Sequence, residues 1–173
     1  MPTDTTCLPT RADDLPLAIE RPDADGLDEV ASLSAIRKRA VGLCVAARID
    51  QSKIDSAELA LNELATNAVT YGRRPIVVCI AIAGRRLVVA VWDARGDCLP
   101  KPVLTKSSAN GTCGRGLLIV KELADAVSWL TDGTSKCVRA VFELPTSANP
   151  HFLAVRLCCP APPPDSEESA LAS

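Results

Sequence analysis

The chain has 173 residues, of which 47% are hydrophobic but only 3% aromatic, and its formal net charge is −2. That length fits one domain that buries a core of Leu, Val, Ile and Ala without covalent staples. The slight acidity argues against a nucleic-acid partner, whose phosphates call for a basic surplus or stripe, and no run of 18 apolar residues is present to cross a membrane.

In chain order, residues 1–14 are polar and proline-containing and read as a disordered N-terminus. Residues 15–20 can form a first strand with Pro16 at its edge or start, and residues 22–26 a turn. From residue 27 to about 48, Val30, Leu33, Ile36, Val41, Cys44 and Val45 recur at mostly helical intervals, which predicts an amphipathic helix. Asp50 or Ser52 can cap a second helix carrying Ile54, Ala57, Leu61, Leu64, Ala65 and Ala68, stopped by Gly72 and Pro75. Residues 76–82 and 87–92 are β-branched runs about Ala83-Gly84-Arg85, the pattern of a hairpin of two buried strands. Residues 94–114 have no period, and a loop this long inside a domain is often functional. Gly116 opens a third helix with Leu117, Val120, Leu123 and Ala124 on one face; residues 127–131 and 138–144 follow as strands about Asp132-Gly133. After Pro145 the composition shifts, and residues 146–173 read as a proline-rich disordered tail beyond a domain at 15–145. The order gives an α/β (α+β) two-layer sandwich: a mixed, mostly antiparallel sheet with helices on one face.

Eight cysteines (Cys7, Cys44, Cys79, Cys98, Cys113, Cys137, Cys158 and Cys159) are scattered without a Cys-x-x-Cys pair, and the polar N-terminus carries no secretory signal. Reduced thiols in a cytoplasm are the expectation. His151 is the single histidine, which removes Ser-His-Asp and Cys-His catalysis, His-rich metal sites and a complete sensor kinase with its own phosphoacceptor histidine.

Three constellations carry chemistry. Glu63 and Asn67 stand four apart, hence on one helical face, away from the Leu61/Leu64/Ala68 stripe. Side by side they can hold a hydrated Mg²⁺ through oxygen, and the carboxylate can take a proton from an attacking hydroxyl; alone, such a pair is also an ordinary solvated face. Asp93 ends a buried strand, with Gly96 after it, where a carboxylate can accept from an exocyclic amine such as that of adenine and a glycine lets backbone approach the base. The bland alternative is an Asp-containing turn. Gly111, Gly114 and Gly116 lead into the third helix, whose N–H groups can cradle phosphate. No Gly-Lys-Ser/Thr follows, and the glycine spacing does not fit a dinucleotide fingerprint.

Together, the order Glu63-Leu64-x-x-Asn67-Ala68, then Asp93 with Gly96, then Gly114-Arg115-Gly116-Leu117 resembles the Bergerat-type ATP-binding fold of gyrase, its superfamily's heat-shock chaperone and histidine kinases. Within it the chain is most similar to the anti-sigma factor serine/threonine kinases, in their short actinobacterial form, over about residues 15–144. The resemblance implies ATP and Mg²⁺ as ligands, Asn67 on the metal, Glu63 as general base and Asp93 on adenine. Gly114 and Gly116 would line the phosphates with Arg115 and Leu117 beside them, under a lid at 95–113. It further implies phosphoryl transfer to a serine or threonine of an anti-sigma factor antagonist of the STAS type, sequestration of a sigma factor, and homodimers, which are common among relatives. The first glycine box departs from the usual Asp-x-Gly-x-Gly: it reads Asp93-Ala94-Arg95-Gly96-Asp97, with the first glycine one place late and the second absent. Lys136, followed by Cys137, is left without a role in phosphate contact. Two rival readings stand beside this one: a non-catalytic anti-sigma module that only sequesters its partner, and a detached catalytic domain that phosphorylates a histidine in trans.

Overall fold

Ser32 decides where the first helix begins. Its hydroxyl accepts the Ala35 N–H at 3.2 Å, an N-cap bond, so α1 spans Leu33–Ala46, and Val30–Ala31 before it is a short strand, β1. The helix therefore starts later than the expected residue 27. These elements come from a computed structural model, which describes residues 30–97 and 115–158. The predicted strand at 15–20 lies outside them.

α1 ends on Arg48, whose φ of 58° is left-handed, while the Ile49 N–H reaches back to the Cys44 carbonyl at 3.0 Å. That closure satisfies the helix end and turns the chain into α2 (Gln51–Tyr71) within a few residues. α2 buries Ile54, Ala57, Ala60, Leu61, Leu64, Ala65 and Ala68, the predicted stripe with Ala60 added. Gly72 caps it.

β2 is continuous extended chain over Val77–Asp93. A straight strand of that length would span about 55 Å. Instead the Ala94 N–H donates to the Arg73 carbonyl at 2.8 Å, so the two ends of β2 lie together and the strand is folded on itself. The fold falls at Gly84, whose φ of +57° a side chain would resist, with register shifts on either side. This is the predicted hairpin.

α3 (Arg115–Leu123) packs on α2, and β3 (Ala126–Thr131) pairs antiparallel with β4 (Lys136–Leu157). β4 pairs antiparallel with all of β2, from Asp93 opposite Lys136 to Val77 opposite Arg156, passing Gly84 opposite Ala148. Its early arm therefore flanks the second arm of β2, and its late arm, residues 151–157, flanks the first. β1 joins parallel to that late arm, with Val30 opposite Arg156.

This overturns the expected boundary at residue 145. The chain stays in the sheet to Leu157, because Leu153, Val155 and Leu157 alternate onto the core face and the Leu157 N–H bonds the Ile76 carbonyl at 2.8 Å. Of the expected tail, residues 159–173 lie outside the described residues.

Helices and sheet close on a core of Ile36, Leu61, Leu64, Ile80, Leu87, Val120, Phe142 and their neighbours. A second cluster (Val77, Cys79, Ala81, Val88, Ala90, Trp92, Cys137, Val141) lies on the other face of the sheet, and no described helix contributes to it. The architecture is the predicted one: a mixed, mostly antiparallel sheet with helices on one face. Among the described residues no helix is long and apolar enough to cross a membrane.

Candidate functional site

Glu63 and Asn67 lie one turn apart on α2, both half-buried and both off the core stripe. The start of α3 faces them. A Cβ at Gly116 would overlap the Glu63 carboxylate and come within 3.5 Å of Asn67 Nδ2, so glycine is what lets the two helices meet there. The first-turn N–H groups of α3 have no intrahelical acceptors. A carboxylate, an amide and the first-turn backbone of a helix thus converge.

Arg115 is the first residue of α3, while Gly114 and most of the expected lid lie outside the described residues. Leu117 follows Gly116 in α3. Its side chain is 5% exposed and packs in the core.

The C-cap of α2 lies roughly 13 Å along the helix from Glu63 and about 8 Å from Asn67. A Cβ on Gly72 there would come within 2.7 Å of Asp93 Cγ. Asp93 is 3% exposed, on the helix side of the sheet, and both its oxygens are engaged. Oδ1 accepts the Arg95 N–H at 2.9 Å, and Oδ2 lies 3.3 Å from Lys136 Nζ. The Arg95 guanidinium donates to the Tyr71 carbonyl at 2.8 Å, strapping this turn to the end of α2.

Gly96 packs against a second turn. A Cβ there would collide with Gly133 and Thr134 backbone at 2.5–2.7 Å. The Gly96 N–H donates to the Thr134 carbonyl (3.3 Å), and Thr131 Oγ1 donates to the Gly96 carbonyl (2.9 Å). The glycine is required by turn-on-turn packing inside the protein.

That second turn is organised by Asp132. Its carboxylate accepts Thr134 N–H (2.8 Å), Thr134 Oγ1 (2.8 Å), Ser135 N–H (2.6 Å) and Ser135 Oγ (2.8 Å). Desolvation pushes its pKa up, but the bonds from Ser135 and Thr134 outweigh this and hold it well below the usual carboxylate range.

Sequence reasoning left Lys136 without a role. It stands directly opposite Asp93 across β2 and β4, on the same face, and is 7% exposed. The only signal was a lone lysine opening an apolar strand. Gly72 was read as a helix stop, and its contact with Asp93 was not visible.

The residues fit magnesium. Among the described residues no group of three or more His, Cys, Asp or Glu side chains could hold a metal. Glu63 and Asn67 offer one carboxylate and one amide oxygen a helical turn apart, a sparse oxygen set that suits an ion that keeps waters and takes its other ligands from phosphates.

Residues 27–142, well over half of the chain, match the model of the histidine kinase-like ATPase domain. No curated protein matches the chain. The matched stretch contains α2, Asp93, the start of α3 and Lys136, so the site lies wholly within it. The chain belongs to the histidine kinase-like ATPase domain family.

Proposed function

We propose that this ATPase domain is a serine/threonine protein kinase of the anti-sigma regulatory type. Its ATP lies along α2, with the triphosphate at Glu63, Asn67 and the first turn of α3, and the base at Asp93. The observation that carries this reading is the close approach of Gly116 to Glu63 and Asn67, which brings a base, an amide and the first turn of a helix to one point. Asp93 meets α2 at its C-cap, about two to three helical turns beyond Glu63, and the base end is placed there.

Chemically, a serine or threonine hydroxyl of the partner attacks the γ-phosphorus, the bond to the β–γ bridging oxygen breaks, and ADP departs. Glu63 takes the hydroxyl proton. The backbone N–H groups of Gly116 and Leu117 steady the phosphate oxygens. Asn67 would hold Mg²⁺ through its amide oxygen, and the ion, when bound, neutralises charge on the triphosphate. The partner is an anti-sigma factor antagonist of small α/β fold, and phosphorylating it decides whether this chain holds the antagonist or a sigma factor.

Incubation with γ-labelled ATP and candidate antagonists tests the proposal. The expected result is acid-stable label on the partner, reduced about 100-fold or more in Glu63→Ala while ATP still binds. Tight ATP binding with no transfer to any partner would leave the sequestering module as the reading, and acid-labile label would point to a histidine acceptor.

A further inference from the structure

We propose that Lys136 is a second base-reading residue, placing an ammonium beside the Asp93 carboxylate so that the pair reads two adjacent atoms of the adenine edge. This rests on the ATP reading given above.

The argument begins with burial. Asp93 and Lys136 are 3% and 7% exposed, and their charged atoms are 3.3 Å apart. Taking both ions out of water is costly, and their attraction repays it only when the remaining donors and acceptors are satisfied too. The carboxylate has a second partner in the Arg95 N–H. The ammonium has three N–H donors, and among the described residues Asp93 is its one acceptor. Buried donors that the described residues leave unused call for a further acceptor.

Placement says which partner. Asp93 and Lys136 face each other at the end of β2 and the start of β4, on the helix side of the sheet, beside the α2 C-cap and the Gly96 turn. In the ATP reading this is the base end. The Watson–Crick edge of adenine sets the 6-amine, a donor, next to N1, an acceptor. A carboxylate and an ammonium side by side present the complementary order: Asp93 accepts from the amine, and Lys136 donates to N1. The pair also offers a physical account of the altered glycine box. With Gly96 committed to the turn at 132–135, a second side chain supplies the contact that backbone can no longer make.

The test compares ATP with 1-deaza-ATP, in which N1 is replaced by C–H and the amine is kept. In the wild-type chain ATP should bind about 10-fold or more tightly than the analogue, the size expected for one charge-assisted hydrogen bond. In Lys136→Met the two should bind alike within about twofold, and Lys136→Gln, which keeps a neutral donor, should recover part of the difference. Equal binding of the two nucleotides by the wild-type chain, or an undiminished preference in K136M, overturns the assignment. Should K136M fail to fold by circular dichroism, K136Q decides: its preference for N1 must be smaller than that of the wild type. If neither nucleotide binds the wild-type chain, the ATP reading itself falls, whereas ATP binding without N1 preference sinks Lys136 alone.

Discussion

Gly116 answers two demands of opposite sign. Within α3, alanine would be the better helix former by about 1 kcal/mol. Against α2, the same methyl would run into the Glu63 carboxylate. That carboxylate is the far end of a flexible side chain and can swing aside at little cost in stability, but not without leaving its place beside Asn67. Gly116→Ala should therefore melt within about 1 kcal/mol of wild type while phosphoryl transfer falls roughly 10-fold or more, as when a catalytic group is displaced. A thermal melt alongside the labelled-ATP assay checks both, and unchanged transfer would remove this contact from the site. Gly72 and Gly96 differ in kind, because a Cβ there meets backbone that cannot swing away. The side chains of α2 were legible because one helix sets their spacing. Lys136 was not, since its partner is 43 positions away in sequence and only the β2–β4 register brings them opposite. The cysteines behave as packing groups: Cys44, Cys79 and Cys137 are free and buried, and burial pushes Cys44 up to about 11 and Cys79 up to about 12, so they stay thiols.

At the scale of elements, the turn between β3 and β4 ties acid stability to the site. Asp132 gathers four donors from Thr134 and Ser135, and this turn is the surface on which Gly96 rests. Asp125 does similar work at the start of β3. Its burial pushes its pKa up, but the Glu143 N–H (2.7 Å) and the Lys53 ammonium (3.0 Å) pull it below the ordinary value. Both carboxylates bind a proton less readily folded than unfolded. Their stabilisation is therefore present above the unfolded carboxylate range near pH 4 and is lost as pH falls toward the lower folded values. The melting temperature should hold from pH 7 to about 5 and fall below about pH 4. Asp132→Ala should lower the plateau and flatten that fall, as a pH series of thermal melts of both proteins would show; an equal slope in the variant would mean the turn carries none of it. Element boundaries were legible where period and punctuation agreed, as in α2, whose buried stripe and Gly72 stop were both visible. They failed at α1, because Val30 continues the helical spacing of apolar residues although the Ser32 cap places it in a strand.

At the scale of the whole molecule, the sheet is closed by chain that composition alone assigned to a tail. Pro145 and Pro150 punctuate the sequence as a domain end would, which hid the strict alternation of Leu153, Val155 and Leu157 behind them. The physical signal was there, at period two, but it was too short to outweigh the prolines and the proline-rich segment after Cys158. Its consequence is large. Residues 151–157 pair with the first arm of β2 and with β1, and the Leu157 N–H holds the Ile76 carbonyl. Cutting the chain after Pro145 withdraws three buried aliphatic side chains, worth about 1.5–3 kcal/mol each, and leaves the backbone of the first β2 arm unpaired along one side. The sum is comparable with the whole stability of a typical domain, about 5–15 kcal/mol. A chain ending at residue 145 should therefore lose cooperative thermal unfolding and ATP binding together, even though it keeps every residue of the site. The hairpin arm that late β4 covers leads, through its second arm, to Asp93, so the nucleotide's base end depends on a strand that contributes no residue to it. A cooperative melt within a few degrees of the full chain would show instead that this arm is an accessory to a domain already complete at residue 145.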